Sequence, residues 1–470
     1  MDKIADLQQK SVFEEKAGLK SRLAAAMREL ERGLLEREIA VRLTVLALLA
    51  GEHLLLIGPP GTAKSELARR LHRLLADGDY FERLLTRFSV PEELFGPLSI
   101  AALEEDRYER RVAGYLPAAS VAFVDEVFKA NSAILNSLLT LLNEREFDNG
   151  TARLVCPLIS LIGASNEVPD DESAAAFLDR FLLRHALEPV SRDAFGALLE
   201  GGDAPVDLPG ALRLNTREID QLLSAAGAVV LSPAMSELLL ALRDFVVDRH
   251  FYVSDRRWRK IVRLLKVAAF VDGRSEVMVW DGFLLPYCIG ARLEQEVEVY
   301  SWLARRLGVF SVLDPERFRR VVEGFEAQLE LEQNATELNY NADGRLSMFD
   351  GLVDGKKGEA AARMPTHTRR RSYGEIHIAA RVTQVEALIG DVDDYLSRLS
   401  SRRHELQAVA AESLWLVPSL VGKLDRSLAE TETVVRGLWG RLHQVREGFL
   451  GLPRREPDDA TEFPELMAAD

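Results

Sequence analysis

The chain has 470 residues, a formal net charge of −15 and two cysteines, and 47% of its residues are hydrophobic. This length allows about three domains with a large core, and the composition is typical of a soluble globular protein. The acidic balance argues against a global basic field that would recruit nucleic acid or acidic lipid. Cys156 and Cys288 lie far apart in apolar sequence, so they predict buried thiols in a reducing compartment and no metal site.

Neither a signal peptide nor a membrane span is predicted. The first residues lack a signal-peptide pattern. The most apolar region, residues 41–57, is interrupted by Arg42, Gly51, Glu52 and His53. A span needs about 20 consecutive apolar residues. We therefore expect a cytoplasmic protein.

Residues 1–32 are charged and predict a helical extension on the surface or facing a partner. In residues 33–190 a helical run ending at Gly51 is followed by alternating strands and helices, which predicts a parallel sheet covered by helices on both faces. The predicted strands are Leu54–Ile57, 121–124 and 158–163, and an Asn149-Gly150 turn predicts a hairpin before the third of them.

The remaining segments divide by composition and helical period. We predict a linker at 191–215, a helical domain at 216–306, a helical bundle made of 307–339 and 375–450, a flexible insertion at 340–374 and an acidic tail at 451–470.

The first predicted strand runs into a glycine-bounded turn that opens a helix. Backbone N–H groups and the helix dipole make such a turn an anion site, which we call the phosphate loop, residues 58–65. Lys64 supplies charge for the β- and γ-phosphates, and Ser65 supplies a hydroxyl for Mg²⁺. Alanine replaces the second glycine of the usual pattern, which is tolerated if Ala63 has right-handed dihedrals. The predicted nucleotide-binding residues of the loop are Gly58, Pro59, Pro60, Gly61, Thr62, Ala63, Lys64 and Ser65.

Three further polar groups follow strands of the same sheet. Asp125 ends the second strand and can hold the Mg²⁺ shell, and Glu126 can polarise the attacking water. The alternative is a helix N-cap. Asn166 ends the third strand and can orient that water, or it is only a turn residue. Arg180 or Arg184 can act as an arginine finger, and the alternative is a surface arginine.

Together these motifs resemble the MoxR branch of AAA+ ATPases, and within it the RavA-like subgroup. The resemblance rests on 58–65, on Asp125 and Glu126, on 164–166 and on 178–181. Alanine at position 63 is common in that branch. Segments 88–97 and 114–117 resemble its extra helix 2 insertion, and residues 252–258 resemble the start of the lid helix in its RavA subgroup. Residues 413–418 resemble RavA more weakly.

The resemblance implies an α/β AAA+ core, an all-α lid and a C-terminal helical bundle, assembled as a ring that is usually hexameric. ATP would bind at subunit boundaries with its adenine near Leu34 and Leu35. Arg180 would reach the neighbouring γ-phosphate, and Arg256 would be sensor 2. Such proteins act as chaperone-like remodellers and commonly work with a von Willebrand factor A domain partner.

The sequence differs from RavA proteins in one respect, and three alternative functions stay open. RavA proteins insert a sizeable β-rich module where this chain has only residues 340–374, so a partner bound through that module, such as the family's lysine decarboxylase contact, is not expected. The alternatives are a helicase-like or McrB-like nucleic-acid motor, a chelatase-type motor subunit and a nucleotide-gated scaffold. The acidic charge and the lack of an aromatic-basic module count against nucleic acid. The sequence does not identify the client.

Overall fold

The computed structural model describes residues 18–168, 172–200, 206–290, 292–308, 315–337 and 369–455. The chain divides into two compact units, Met1–Leu307 with Leu406–Gly422, and Gly308–Glu405 with Lys423–Asp470. Among the helices of the described residues, none combines the length and apolar character that a membrane span requires.

The first unit contains nine named strands. In chain order they are β1 (Leu54–Ile57), β2 (Tyr80–Leu84), β3 (Val121–Asp125), β4 (Glu146–Asn149), β5 (Ala152–Val155), β6 (Ser160–Ser165), β7 (Leu183–Ala186), β8 (Val230–Leu231) and β9 (Glu276–Val277). Five of them form a parallel sheet in the order β2-β3-β6-β1-β7. The predicted parallel sheet is therefore confirmed.

The helices of this unit begin with α1, described over residues 18–31. The others are α2 (Glu38–Ala50), α3 (Lys64–Leu74), α4 (Glu92–Phe95), α5 (Ile100–Leu103), α6 (Ser132–Glu144), α7 (Glu172–Leu178), α8 (Arg192–Glu200), α9 (Thr216–Ala226), α10 (Pro233–Asp248), α11 (Asp255–Val271), α12 (Leu285–Ile289) and α13 (Leu293–Gly308).

Burial explains which strands the sequence reveals. Leu54, Leu55 and Leu56 of β1 are fully buried, as the apolar run predicts for a central parallel strand. Strands β3 and β6 begin and end within two residues of the predictions. Edge strands β2 and β7 are missing from the predictions because their sequences, YFERL and LRHA, have no continuous apolar run.

The predicted Asn149-Gly150 hairpin is present as β4 paired with β5. The Asn149 carboxamide holds it to the insertion before β3, since its Oδ1 accepts from Arg110 N at 2.6 Å and its Nδ2 donates to Arg110 O at 3.1 Å. A side chain on Gly150 would lie 2.1 Å from the Tyr108 carbonyl oxygen. Glycine is therefore required here by the close approach as well as by the turn.

Within the predicted linker 191–215, the described residues are 191–200 and 206–215. They contain α8, and Val206, Leu208 and Leu214 are buried. Helix α9 then begins with a capping box in which Asn215 and Glu218 each accept the other's backbone N–H at 2.8 Å. Helices α9 to α13 make up the predicted helical domain, with the short β8–β9 pair inside it.

The segment 413–417 returns to the first unit from the C-terminal part of the chain. Leu414 N donates to Asp272 Oδ1 and Trp415 Nε1 donates to Ala268 O, both at 2.9 Å. Arg42 of α2 donates to Leu414 O at 2.6 Å. The segment therefore contacts both α2 and the end of α11.

In the second unit, the elements are α14 (Pro315–Asn334), β10 (Thr336–Glu337), β11 (Arg369–Arg370) and most of α15 (Glu375–Glu412) and α16 (Pro418–Leu450). The buried Glu332 carboxylate accepts from His377 Nε2 at 2.9 Å and from Arg381 Nε at 3.1 Å, which joins α14 to α15. Most of the predicted insertion and acidic tail, and residues 1–17, lie outside the described residues.

Candidate nucleotide-binding site

The phosphate loop connects β1 to α3 through three residues with positive φ. Gly58 has φ +156°, Gly61 has φ +81° and Ala63 has φ +68°. A Cβ on Gly58 would lie 2.2 Å from the carbonyl oxygen of Leu187, so no side chain fits there. The loop is therefore pressed against the chain that follows β7, with α3 starting at Lys64.

Ala63 differs from the prediction. Its dihedrals, φ +68° and ψ +23°, are left-handed, not right-handed. An L-residue loses about 1–2 kcal/mol in this region, which a glycine avoids. The surrounding structure must therefore hold this peptide in place.

Lys64 points into the loop. Its Nζ donates to Gly58 O at 2.6 Å and to Pro59 O at 3.0 Å, and it lies 3.5 Å from Asn166 Oδ1. Burial lowers the pKa of Lys64, while Asp125 and Glu126 act in the opposite direction. Phosphate oxygens are stronger, charge-assisted acceptors than these carbonyls, so the ammonium is placed to exchange them for an anion.

Glu126 and Asn166 meet at the ends of neighbouring strands. Asn166 Nδ2 donates to Glu126 Oε1 at 2.6 Å, and Lys129 Nζ lies 3.2 Å from the same oxygen. Glu126 has left-handed φ of +53° and its side chain makes no helix-capping bond, which disfavours the N-cap alternative. Through Asn166, the Glu126 carboxylate is linked to the Lys64 ammonium.

The metal-binding prediction fits the donor set. Ser65 is the second residue of α3 and Asp125 ends β3, and the Asp125 carboxylate also accepts from Glu126 N at 2.9 Å. Hydroxyl and carboxylate oxygens suit Mg²⁺, which usually completes its shell with phosphates and water. In the described part of the chain, no group of three His, Cys, Asp or Glu side chains is arranged to hold a metal. Ser65 and Asp125 supply two such oxygens, so phosphates and water would complete the shell of a metal held there.

Leu34 and Leu35, predicted to lie near the adenine, are half-buried in the turn between α1 and α2. The turn adjoins the phosphate loop because Arg37, two residues later, donates to the Thr62 carbonyl at 3.2 Å. Contact of the two leucines with adenine stays a prediction.

The two candidate fingers have different environments. Arg184 lies on β7 and is buried, with its guanidinium donating to Leu178 O at 2.9 Å. Burial, and then the nearby Arg257, hold the pKa of Arg184 well below its ordinary value. Arg180 is half-buried, and its Nη1 lies 3.3 Å from Asp179 Oδ2. Arg184 is therefore part of the core, whereas Arg180 is only half-buried and pairs with the adjacent Asp179.

Arg180 lies at the edge of the sheet opposite to the phosphate loop. Strands β1 and β7 are parallel and in register from Leu54 beside Leu183 to Ile57 beside Ala186. The phosphate loop follows Ile57, whereas Arg180 precedes Leu183. The length of a strand, about 3.3 Å per residue, separates them.

The lid arginine Arg256 lies beside Arg180. Both line one cleft with Asn143, Asp179 and Lys260, and Arg256 is exposed in the first turn of α11. The predicted finger and sensor therefore lie together near the amino end of β7, whereas the phosphate loop follows the carboxyl end of β1.

The next residue, Arg257, has a structural role that the sequence does not indicate. It is buried, and its guanidinium donates to the carbonyls of Cys288 at 2.7 Å, Leu182 at 2.8 Å and Phe181 at 3.0 Å. Burial lowers its pKa, although Asp179 opposes that shift. Arg257 thus joins α11 to the segment that carries Arg180. The one available signal was the adjacent pair of arginines after a Ser254 cap, which does not say which one is buried.

Exchanging each arginine for methionine separates these two roles. We expect Arg257→Met to lower the free energy of unfolding by about 3 kcal/mol, because several buried carbonyls lose a charged donor. The matched control Arg256→Met removes an exposed side chain and should change it by less than about 0.5 kcal/mol. Urea denaturation followed by circular dichroism measures both. Equal stability of the two variants would contradict the role given to Arg257.

A parallel sheet of this order, with a lysine-bearing phosphate loop and a helical lid, is the AAA+ architecture. The family model described as the MoxR domain of MoxR-vWA-beta-propeller ternary systems matches residues 21–223, and an AAA lid domain model matches residues 234–303. Residues 21–303 therefore form a AAA+ module of the MoxR family.

Three curated proteins and one solved structure are similar to this chain. Two uncharacterized proteins of Methanocaldococcus jannaschii are 39% and 38% identical over 54% and 53% of this chain, and each match covers 66% of the relative. A structural protein of Acidianus two-tailed virus is 30% identical over 37% of this chain and 29% of its own length. A candidate ATPase from Cytophaga hutchinsonii shares the fold, with a TM-score of 0.52 and 17% identity over 63% of this chain and 96% of that chain. The chain thus matches just under two thirds of its first curated relatives.

Proposed function

We propose that this protein hydrolyses ATP with Mg²⁺ and works as a ring of identical subunits. Lys64 binds the β- and γ-phosphates, while Ser65 and Asp125 hold the metal that neutralises phosphate charge. Glu126 takes a proton from the attacking water, and Asn166 orients that water. Phosphoryl transfer depends on positioning and charge stabilisation, and these residues supply both.

The observation that carries the proposal is that the residues around the phosphate loop are separated from the two candidate arginines. Lys64, Asn166 and Glu126 meet at one edge of the sheet, whereas Arg180 and Arg256 lie together at the other. This separation supports the proposal that the arginine stabilising the γ-phosphoryl group comes from a second subunit. A head-to-tail interface of this kind closes into a ring when its rotation permits, and a hexamer is our expectation.

The proposed work of the ring is remodelling of a client protein, in partnership with a von Willebrand factor A domain protein. The description of the matching family model supports this partnership, because it names MoxR-vWA systems. Membership of the RavA-like subgroup and a cytoplasmic location belong to the same proposal, and the sequence likeness at 252–258 and 413–418 supports the former.

A binding measurement tests the nucleotide site. We expect Lys64→Ala to weaken MgATP binding at least about tenfold, since the loop loses its one charged phosphate ligand. The control Lys266→Ala removes a lysine of the lid that donates to Gly227 O and should bind as the unaltered chain does. Isothermal titration at two salt concentrations gives both affinities. Unaltered chain that binds no nucleotide and releases no phosphate, even with partners added, would refute the proposal.

A further inference from the structure

Arg37 is a buried residue whose side chain is hydrogen-bonded to three separate parts of the backbone. Its side chain is 6% exposed at the start of α2, and its guanidinium donates to three backbone carbonyls. The acceptors are Thr62 O at 3.2 Å, Glu36 O at 3.0 Å and Glu188 O at 2.7 Å. One side chain therefore joins the phosphate loop, the turn before α2 and the chain after β7.

The bond to Thr62 fixes the orientation of one peptide group. The C=O and N–H of a trans peptide point in opposite directions. Because the Thr62 carbonyl is directed at Arg37, the Ala63 N–H is directed away from Arg37. A left-handed residue next to right-handed ones gives successive N–H groups that converge on an anion, and Ala63 is that residue.

The bond to Glu188 supports the same loop from outside. Leu187 N donates to Ile57 O at 2.7 Å, and the Leu187 carbonyl is the group that excludes a side chain at Gly58. Ser191 is attached to the turn as well, since its N and Oγ donate to the Glu36 carboxylate at 2.7 Å and 2.5 Å. The start of the phosphate loop therefore rests on the segment that Arg37 holds, and Thr62, near the end of the loop, is bonded to Arg37 itself.

We propose that Arg37 is a positioning residue that maintains the left-handed Ala63 and thereby compensates for the glycine that this phosphate loop lacks. The proposal rests on the proposed nucleotide site and adds a residue to it. Arg37 does not touch the nucleotide. It acts by holding the Thr62 carbonyl, so its contribution should depend on which residue occupies position 63.

A double-mutant cycle tests this dependence. Affinity for MgADP is measured by isothermal titration for the full chain, Arg37→Ala, Ala63→Gly and the double variant. We expect Arg37→Ala to weaken binding about tenfold with alanine at 63 and less than about threefold with glycine at 63, because glycine adopts the left-handed conformation without help. Arg37→Lys keeps the charge, but its donors are all on one nitrogen, whereas the three carbonyls are met by three different nitrogens of Arg37, so its affinity should fall between.

Arg42→Ala is the matched control. Arg42 is on the same helix and also donates to backbone carbonyls, those of Leu414 and Leu416, yet it has no bond to the phosphate loop. The Arg42→Ala variant should bind MgADP with the same affinity as the unaltered chain. Equal weakening by Arg37→Ala in both backgrounds, or no weakening in either, would overturn the inference, and Arg37→Lys decides the matter if Arg37→Ala does not fold. Failure of the unaltered chain to bind MgADP would instead refute the nucleotide site itself.

Discussion

We expect Glu126→Gln to retain ATP and to hydrolyse it at least about a hundredfold more slowly than the unaltered chain. A general base contributes about 10²–10⁴ in rate, and glutamine removes the base while keeping the shape of the side chain. The glutamine oxygen can still accept from Asn166 Nδ2, which lies 2.6 Å from Glu126 Oε1. Phosphate release at saturating ATP and Mg²⁺, with nucleotide retention after gel filtration, measures both effects.

Glu167→Gln provides the control for this substitution. Glu167 is exposed and follows Asn166 directly, so its replacement changes the local charge equally without touching Glu126. It should hydrolyse ATP at nearly the normal rate. Normal turnover by Glu126→Gln would remove Glu126 as the base, whereas loss of nucleotide from Glu126→Gln would assign it to binding.

The sequence predicts the central part of this site because its polar residues lie at, or directly after, the ends of predicted strands. The apolar run Leu54–Ile57 predicts a buried strand, Asp125 ends a second strand and Asn166 directly follows a third. The carboxyl ends of parallel strands lie at one edge of a sheet, so these groups had to meet near Lys64. The Asn166–Glu126 bond realises this expectation.

Other features depend on contacts that the sequence does not encode locally. Arg37 binds carbonyls of Thr62 and Glu188, and a backbone carbonyl gives no sequence signal. For the same reason the sequence does not show that Arg257 is buried and Arg256 is exposed. Arg257 is buried because it donates to the backbone carbonyls of Leu182 and Cys288. The left-handed Ala63 was also unpredictable, because its conformation is imposed by neighbours and not preferred by alanine.

The position of Arg180 leads to a complementation prediction. Arg180→Ala and Lys64→Ala should each reduce hydrolysis at least about a hundredfold, given that an arginine finger contributes about 10³–10⁵ in rate. In a mixed ring, an Arg180→Ala subunit keeps its own phosphate loop and can receive Arg180 from a Lys64→Ala neighbour. At equal amounts about a quarter of the interfaces should be complete, so activity should return to about a quarter of normal.

A second mixture shows whether recovery comes from shared sites. Lys64 and Glu126 belong to the same edge of one sheet, so a ring of Lys64→Ala and Glu126→Gln subunits has no complete site and should stay inactive. Native mass spectrometry verifies that both mixtures form mixed rings. If mixed rings form and Arg180→Ala with Lys64→Ala shows no more activity than this control, Arg180 does not act across the interface. The separation of Arg180 from Lys64 by the length of β1 would then have to be overcome by a rearrangement within one subunit, which the buried bonds of Arg257 to Phe181 and Leu182 oppose.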